Sequence, residues 1–323
     1  MLACIVGFFV LHEFFPESRK RDMKNSLSRL RPLQPFLISV AAVLWAIDGV
    51  WRRNIAQLPG ISIVFYEHLF GSLMLLPWVI SSLKKEKLSK YVLGVSFLVA
   101  LFGGLLGTLF ITKAFITAGA SFSVVILVQK LQPLFAISSA YFLLKEKINK
   151  KYFQWAVLAI IAAYFVSFKN GQISFQTGMS AIYAAGFSFL AAFFWGISTT
   201  LGKMLLNKVS DLSATILRFY FATVIIFVAM NFMGQGVVIT ALGVNEISNL
   251  LIIAFSTGIL AMWLYYKGFI VTQAKVATIL ELAFPFTGMF VDYFLYKTIL
   301  APSQYLAAAV LMFAMYRVGR LKA

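Results

Sequence analysis

Ten long apolar stretches run through the chain, and they constrain its fold more than any other feature. A helix needs roughly 20 apolar residues to cross the hydrocarbon core of a bilayer. The sequence therefore predicts an all-α integral membrane protein with about ten transmembrane helices. The predicted spans are 35–52, 61–82, 91–114, 121–144, 152–168, 178–202, 213–234, 248–270, 275–296 and 302–319.

Lysine and arginine are distributed unequally between the two sides that ten alternating spans define. Outside the spans or at their ends, 20 of them fall on the side of both termini and 4 on the other side. The smaller group consists of Arg52, Arg53, Lys169 and Lys297. Cytoplasmic loops carry the excess of positive charge in multi-pass proteins. The bias predicts a multi-pass protein of the cell membrane, inner or plasma, with both termini in the cytoplasm.

Composition argues against several other classes of protein. Charged residues make up 12% of the chain, against about 25% in ordinary soluble domains. The net charge of +17 does not indicate nucleic-acid binding, because the basic residues form short runs between apolar spans. The chain has two histidines and one cysteine, Cys4. It also lacks a phosphate-binding loop and the HExxH and GxSxG motifs, so we expect no metal site, no cofactor and no enzyme activity.

The two halves of the chain resemble each other at a separation of about 150 residues. The matching pairs are Trp45 and Trp195, Arg53 and Lys203, His68 and Arg218, Lys113 and Lys267, and Pro133 and Pro285. Each half contains five spans, so the second half must enter the membrane from the opposite side. Such inverted repeats are a recurring plan of secondary transporters, which bind substrate between the repeats.

The repeat divides the chain into segments. A first five-helix repeat is predicted at 35–168, a linker at 169–177 and a second five-helix repeat at 178–320. Residues 1–34 form a predicted cytoplasmic arm. Its apolar start is too short to cross a bilayer and lacks the positive region of a signal peptide. Either this start is a short amphipathic or disordered segment, or translation begins at Met23.

Two five-span halves, each with a proline in its fourth helix, resemble the drug/metabolite transporter superfamily, specifically the EamA-domain family. The stretch from Pro133 to "LLKEK" resembles the end of that family's first repeat, where the terminal acidic residue is Glu146. The second half departs from this pattern, with Thr298 at the matching position. The resemblance covers residues 35–320. It implies a transporter but leaves the substrate open, because members carry amino acids, nucleotide sugars, sugar phosphates, cations and other metabolites.

Polar side chains deep in the predicted spans are the candidate site residues. A charge near the bilayer centre costs about 2.5–3.5 kcal/mol on insertion scales, so such groups should pair or face a cavity. The predicted substrate-binding or coupling residues are Glu67, His68, Gln129, Lys130, Glu281, Arg218, Trp45 and Trp195. Gln129 and Glu281 stand at the same distance from the helix-kinking prolines Pro133 and Pro285, which an inverted repeat would bring together. Lys130 is expected to pair with Glu67 or Glu281.

Several of these residues have a purely structural alternative. Gln129 or Gln132 would then satisfy only the carbonyl that the proline kink frees. Lys113 and Lys267 lie near helix ends and are either interfacial anchors or gates. For Asp48, a role in packing or in bonding a loop is favoured over transport.

The function that these features favour is secondary transport of a small polar or zwitterionic metabolite by alternating access. Acidic and basic groups mixed at mid-depth motivate that substrate class. The alternatives are a cation or drug exporter and, less favoured, a non-transporting membrane protein. Glu67 beside His68 makes proton coupling a hypothesis. The expected partners are the solute and the lipid bilayer, with the chain a monomer or a homodimer; direction, coupling ion and substrate stay open.

Overall fold

The computed structural model describes residues 31–117, 121–145, 150–171, 179–234, 242–272, 277, 280–281 and 283–319. The arm before residue 31, most of the predicted linker, and Glu146 lie outside these residues. Within them the chain is helical and contains no strand. The helices are α1 (Leu37–Asn54), α2 (Gly60–Leu83), α3 (Lys90–Ile116), α4 (Phe122–Gln129), α5 (Gln132–Leu144), α6 (Lys150–Ser167), α7 (Met179–Leu206), α8 (Asp211–Phe232), α9 (Val244–Val271), α10 (Ala283–Phe294) and α11 (Pro302–Gly319).

Seven helical segments among the described residues are long and apolar enough to cross a membrane. They are α1, α2, α3, the stretch formed by α4 and α5, α7, α8 and α9. The other three predicted spans fall on α6, α10 and α11, so a count of ten crossing helices stays a prediction. Side chains such as Phe142, Phe232 and Leu306 are largely exposed. A surface this apolar is typical of a protein surrounded by lipid rather than water.

The fourth predicted span is broken near its middle. Helix α4 ends at Gln129, and α5 begins at Gln132 with Pro133 in its first turn. Proline fits the first turn of a helix because it has no N–H to bond there, whereas in a helix interior it removes a hydrogen bond. Lys130 and Leu131 therefore lie between two helices, although the surrounding sequence is apolar enough for one.

Two helices contain π-helical segments at matching positions of the two halves. Ala100–Gly107 lies within α3 and Ile253–Leu260 within α9. A π segment shifts backbone bonding from the fourth to the fifth residue along the chain, and such segments are frequent at functional sites. The paired occurrence places the same backbone irregularity on both sides of the molecule.

The two halves pack against each other in a reciprocal way. Helix α1 contacts α9 and α10 of the second half, and α7 contacts α3, α4 and α5 of the first half. The second helices of the halves, α2 and α8, pair with each other, as do the fifth helices, α6 and α11. With this reciprocal packing, the polar faces of α1, α3, α7 and α9 surround one central space.

Candidate functional site

A cavity lies between the two halves and contains about 1010 Å³ of empty space, with any open mouth included. The charged residues that line it are Asp48, Arg52, Glu67, Lys130, Arg218 and Glu281. The aromatic residues that line it are Trp45, Phe115, Trp195, Phe219, Tyr265, Tyr266, Phe269 and Phe284. Three acidic and three basic side chains balance, so the described lining is formally neutral.

All eight residues predicted to bind substrate or couple transport lie on this one cavity. Their depth in apolar stretches was the signal, because an ionisable group inside a bilayer must face the protein interior or a cavity. The two predicted gates do not lie among the described lining residues. Instead, the ammonium group of Lys113 lies 5.7 Å from the ring centroid of Phe187, and that of Lys267 lies 4.5 Å from the ring of Trp263.

Arg52 holds two carboxylates in a buried cluster. Its Nε donates to Asp48, its Nη2 to Glu67 at 2.8 Å, and its Nη1 to the Thr112 hydroxyl at 2.8 Å. The Thr257 hydroxyl donates to the other oxygen of Asp48 at 2.6 Å. Arg52 is 2% exposed. The charge count was therefore wrong to treat Arg52 as a loop residue, because it lies buried in α1. Asp48, for which bonding to a loop was an expected role, bonds this arginine instead.

Arg218 has different surroundings, although it also lines the cavity. Its Nη1 donates to the Ser198 hydroxyl at 3.5 Å, and it interacts with the Tyr266 hydroxyl. A Cβ atom at Gly103 would lie 2.3 Å from the Arg218 Nη1, so this glycine makes room for the guanidinium. The three ion pairs found among the described residues involve Arg52 twice and Lys130 once. Within that part of the chain, Arg218 has no carboxylate partner.

His68 lies beside Glu67 in the sequence, but the two side chains have separate partners. The His68 Nδ1 is 2.9 Å from the carbonyl oxygen of Val64, one turn earlier in α2. Its ring packs against Phe219 with 5.1 Å between the ring centroids. Proton coupling through these two residues stays a prediction.

The break between α4 and α5 presents a lysine and a chain of amides to the cavity. Lys130 lies 3.5 Å from a Glu281 oxygen, and its ammonium lies 4.8 Å from the Phe284 ring centroid. The structure thus brings Lys130 to the second of the two partners that the sequence proposed. Glu281 also interacts with the hydroxyl of Tyr265.

The two matching tryptophans make equivalent hydrogen bonds across the halves. Trp45 Nε1 donates to the carbonyl of Thr257 at 3.0 Å, and Trp195 Nε1 donates to the carbonyl of Gly103 at 3.0 Å. Both carbonyls lie in the π-helical segments. These bonds satisfy backbone groups that π geometry leaves accessible, and they attach the first helix of each half to the third helix of the other.

Asp292 lies away from the cavity and serves a local structural role. Its carboxylate accepts hydrogen bonds from the Ser121 hydroxyl at 2.9 Å and from the backbone N–H groups of Phe122 and Ser123 at 3.2 and 2.6 Å. The first N–H groups of a helix have no partner within it, and a carboxylate is well suited to accept them. Asp292 therefore caps α4 from α10.

Sequence reasoning missed several residues of the cavity, above all Arg52, Ser198 and Tyr266. For Arg52 a signal existed, because it follows Asp48 by four residues and such pairs share one face of a helix. Ser198 and Tyr266 correspond to Asp48 and Thr112 at the spacing of the repeat, but a lone hydroxyl carries no such signal. No group of three or more metal-ligating side chains occurs in the described part of the chain.

Membrane-length helices, reciprocally packed halves and an internal polar cavity define a multi-pass membrane protein with room for a solute. The chain belongs to the EamA-like transporter family, which matches residues 34–168 and again residues 182–319. This finding confirms the resemblance in the sequence and points to a transporter, not an enzyme.

The chain is also similar to individual proteins of known name or structure. It is 37% identical over 297 residues to riboflavin transporter ImpX from Fusobacterium nucleatum subsp. nucleatum, a match that covers 88% of this chain and 97% of the relative. A solved crystal structure superposes with a TM-score of 0.62 at 14% identity, covering 88% of this chain and 95% of the other. At that identity the second similarity concerns the fold alone.

Proposed function

We propose that the chain is a secondary transporter that moves riboflavin across the cell membrane by alternating access. The observation that carries the substrate is the 37% identity to a protein named as a riboflavin transporter, over 97% of that protein's length. The proposal replaces a general polar or zwitterionic metabolite with one compound whose chemistry can be compared with the cavity.

The cavity's charge balance supports a neutral substrate. Riboflavin is uncharged at neutral pH, and the described lining contains as many acidic as basic side chains. A cation or drug exporter would be expected to present an excess of acidic groups to its substrate. Riboflavin also carries a planar three-ring system, and aromatic side chains such as Trp45, Tyr265 and Phe269 line the same space. Stacking and edge contacts between rings stabilise such a complex beyond simple burial.

Contacts that recur in both halves support the inverted repeat and alternating access. Arg53 donates to the carbonyl of Phe115 at 3.0 Å, and Lys203 donates to the carbonyl of Phe269 at 3.2 Å. Both donors and both acceptors match at the spacing of the repeat. A fold built twice from the same contacts can exchange the conformations of its halves, which opens a central site to each side in turn.

Contacts between connecting segments support the proposed alternation of the spans. The Ser210 N–H and hydroxyl donate to Glu86 at 2.9 and 2.6 Å, which joins two loops on the predicted cytoplasmic side. Gln57 donates to Glu246 at 2.7 Å and joins a loop to the first turn of α9 on the predicted opposite side. Ten alternating spans are consistent with both pairs.

Counterflow in liposomes tests the substrate directly. Purified protein is reconstituted into vesicles loaded with unlabelled riboflavin, and uptake of labelled riboflavin is followed. We expect uptake to rise above that of protein-free vesicles and to disappear when the internal riboflavin is omitted. Exchange of an amino acid or an organic cation without any exchange of riboflavin would overturn the proposed substrate.

Cysteine labelling at repeat-equivalent positions tests alternating access. Ile116→Cys and Ile270→Cys are introduced separately in a Cys4→Ser background, because both residues lie near the ends of matching helices. Riboflavin should change the rate of thiol labelling in opposite directions at the two positions. Parallel changes at both positions would argue against two states that are each closed on one side.

A further inference from the structure

A chain of hydrogen bonds beginning at Trp195 fixes the direction of two amide side chains. The Thr199 hydroxyl donates its single proton to the carbonyl of Trp195 at 2.9 Å, so its oxygen is left as an acceptor. Gln132 Nε2 donates to that oxygen at 3.1 Å. The carbonyl oxygen of the Gln132 side chain therefore points the other way, where it accepts from the Gln129 Nε2.

The chain ends on an acceptor without a partner. Gln129 uses its Nε2 to donate to Gln132, so its Oε1 stands at the free end of the chain of hydrogen bonds. This atom is buried and has no hydrogen-bond partner among the described residues, although Gln129 lines the cavity. A buried carbonyl left unbonded carries a desolvation cost, and such groups in a native structure call for an explanation. A ligand that brings an N–H donor would supply the missing bond.

Arg218 provides the complementary group in the same cavity. A guanidinium has five N–H donors and no acceptor. The described residues engage Arg218 through one long bond of 3.5 Å to Ser198 and an interaction with Tyr266. It therefore retains donors for a ligand carbonyl. The cavity thus combines a free acceptor with a donor-rich cation.

We propose that Gln129 and Arg218 together recognise the dioxopyrimidine edge of the flavin ring. That edge presents one N–H, at N3, between two carbonyl groups. The Gln129 Oε1 accepts from N3–H, and Arg218 donates to one of the flanking carbonyl oxygens. This inference rests on the proposed riboflavin transport and identifies the part of the substrate that the site recognises.

Methylation at N3 gives a ligand that tests the inference on the unaltered protein. 3-Methylriboflavin keeps the ring, the carbonyls and the ribityl chain but lacks the donor. We expect its dissociation constant, measured by quenching of flavin fluorescence, to exceed that of riboflavin by at least about tenfold, because its binding leaves the Gln129 oxygen unpaired. Equal affinities for the two ligands would overturn the inference. No binding of riboflavin itself would instead overturn the proposed function.

Substitutions assign the discrimination to particular side chains. Gln129→Met keeps the length of the side chain and removes the acceptor, so the ratio of the two dissociation constants should fall to within about twofold of unity. Arg218→Met should weaken binding of both ligands by at least about tenfold. The matched control is Thr108→Val, since the Thr108 hydroxyl lines the cavity but already donates to the carbonyl of Gly103 at 2.8 Å. This control should keep the full ratio. A ratio unchanged in Gln129→Met would remove Gln129 from the assignment.

Discussion

Arg52 and Arg218 line one cavity from opposite halves, and their neighbours differ at matching positions. Asp48 bonds Arg52, and its counterpart in the second half is Ser198, which bonds Arg218. Thr112 accepts a hydrogen bond from Arg52. Its counterpart in the second half is Tyr266, whose hydroxyl interacts with Arg218. The scaffold around the two guanidinium groups is therefore largely shared.

The difference between the two sites lies in the carboxylates. Arg52 has Asp48 and Glu67, whereas Arg218 has hydroxyl groups from Ser198 and Tyr266. A buried cation bonded to two carboxylates is fully engaged within the protein, and it holds helices together. A buried cation bonded to hydroxyls keeps its charge and most of its donors available. The presence or absence of these two carboxylates thus separates a structural cluster from a group that can bind a ligand.

The largest expected effect comes from removing the structural cation. Arg52→Met leaves Asp48 and Glu67 buried without their common partner, which should lower the free energy of unfolding by about 3–5 kcal/mol. The measurement is thermal unfolding of the detergent-solubilised protein. Arg53→Met is the control, because Arg53 is only half-buried and its loss should cost clearly less.

Combining Arg52→Met with Asp48→Asn and Glu67→Gln tests the cause of that loss. Uncharged partners need no cation, so the triple variant should regain much of the lost stability. A triple variant as unstable as the single one would show that Arg52 acts through packing, and the contrast with Arg218 would lose its electrostatic basis.

Ser198→Asp should make the second site resemble the first. The new carboxylate would lie beside Arg218 and pair with it, so we expect the proposed riboflavin transport to fall by roughly tenfold or more while the melting temperature stays near that of the wild type. Ser198→Asn adds the same volume without the charge and should keep more of the transport. Similar losses of transport in the two variants would indicate that the larger side chain, and not neutralisation of the Arg218 charge, blocks the site.

Smaller effects are expected at the tryptophans that join the halves. Trp45→Phe removes the donor to the carbonyl of Thr257 and should cost about 1–2 kcal/mol of stability. Trp195→Phe should cost less, because the carbonyl of Gly103 keeps its bond from the Thr108 hydroxyl.

Trp263→Phe provides the control for both tryptophans. Its Nε1 is buried without a hydrogen-bond partner in the described part of the chain, so this substitution breaks no hydrogen bond and should cost less than Trp45→Phe. Thermal unfolding of the three variants side by side gives the ranking. Equal losses in all three would mean that ring packing, and not the bonds to the π segments, sets the cost.

The smallest effect concerns a partly exposed carboxylate, Glu86. Burial alone would raise the pKa of Glu86, but hydrogen bonds from Ser210 outweigh it and hold the pKa below its ordinary value. A lowered pKa in the folded state means that the contact stabilises the protein above the ordinary pKa and loses this contribution as the pH falls through the lowered one. Glu86→Gln should therefore reduce the loss of unfolding free energy on acidification by a fraction of a kcal/mol, which a flatter fall in melting temperature would show. A pH profile identical to the wild type would contradict this role.

Sequence patterns located the cavity residues better than they identified the contacts. Glu67, Lys130 and Glu281 stand out because a charge in an apolar stretch must be paired or enclosed. Whether they bind substrate stays a prediction. Arg52 was missed because it stood at the predicted end of its span and was counted with the loop, whereas α1 continues to Asn54.

Other features of the site leave no mark in the sequence. The π-helical segments Ala100–Gly107 and Ile253–Leu260 have ordinary apolar composition, because backbone bonding and not residue type defines them. Asp292 caps α4 across 170 positions of chain. Such a contact depends on how distant helices pack, which local patterns do not encode.

The break between α4 and α5 has an electrostatic consequence for the lysine beside it. The peptide dipoles of a helix add up to about half a negative charge at its C-terminus and half a positive charge at its N-terminus. Helix α4 ends at Gln129 and α5 begins at Gln132, so both kinds of pole lie next to Lys130, with the Asp292 carboxylate at the far, positive end of α4. At the ammonium group the two poles act in opposite senses, so the Glu281 carboxylate at 3.5 Å is its stabilising partner. The main chain itself thus offers both polarities to the cavity, and that property persists through any side-chain replacement that leaves the two helices separate.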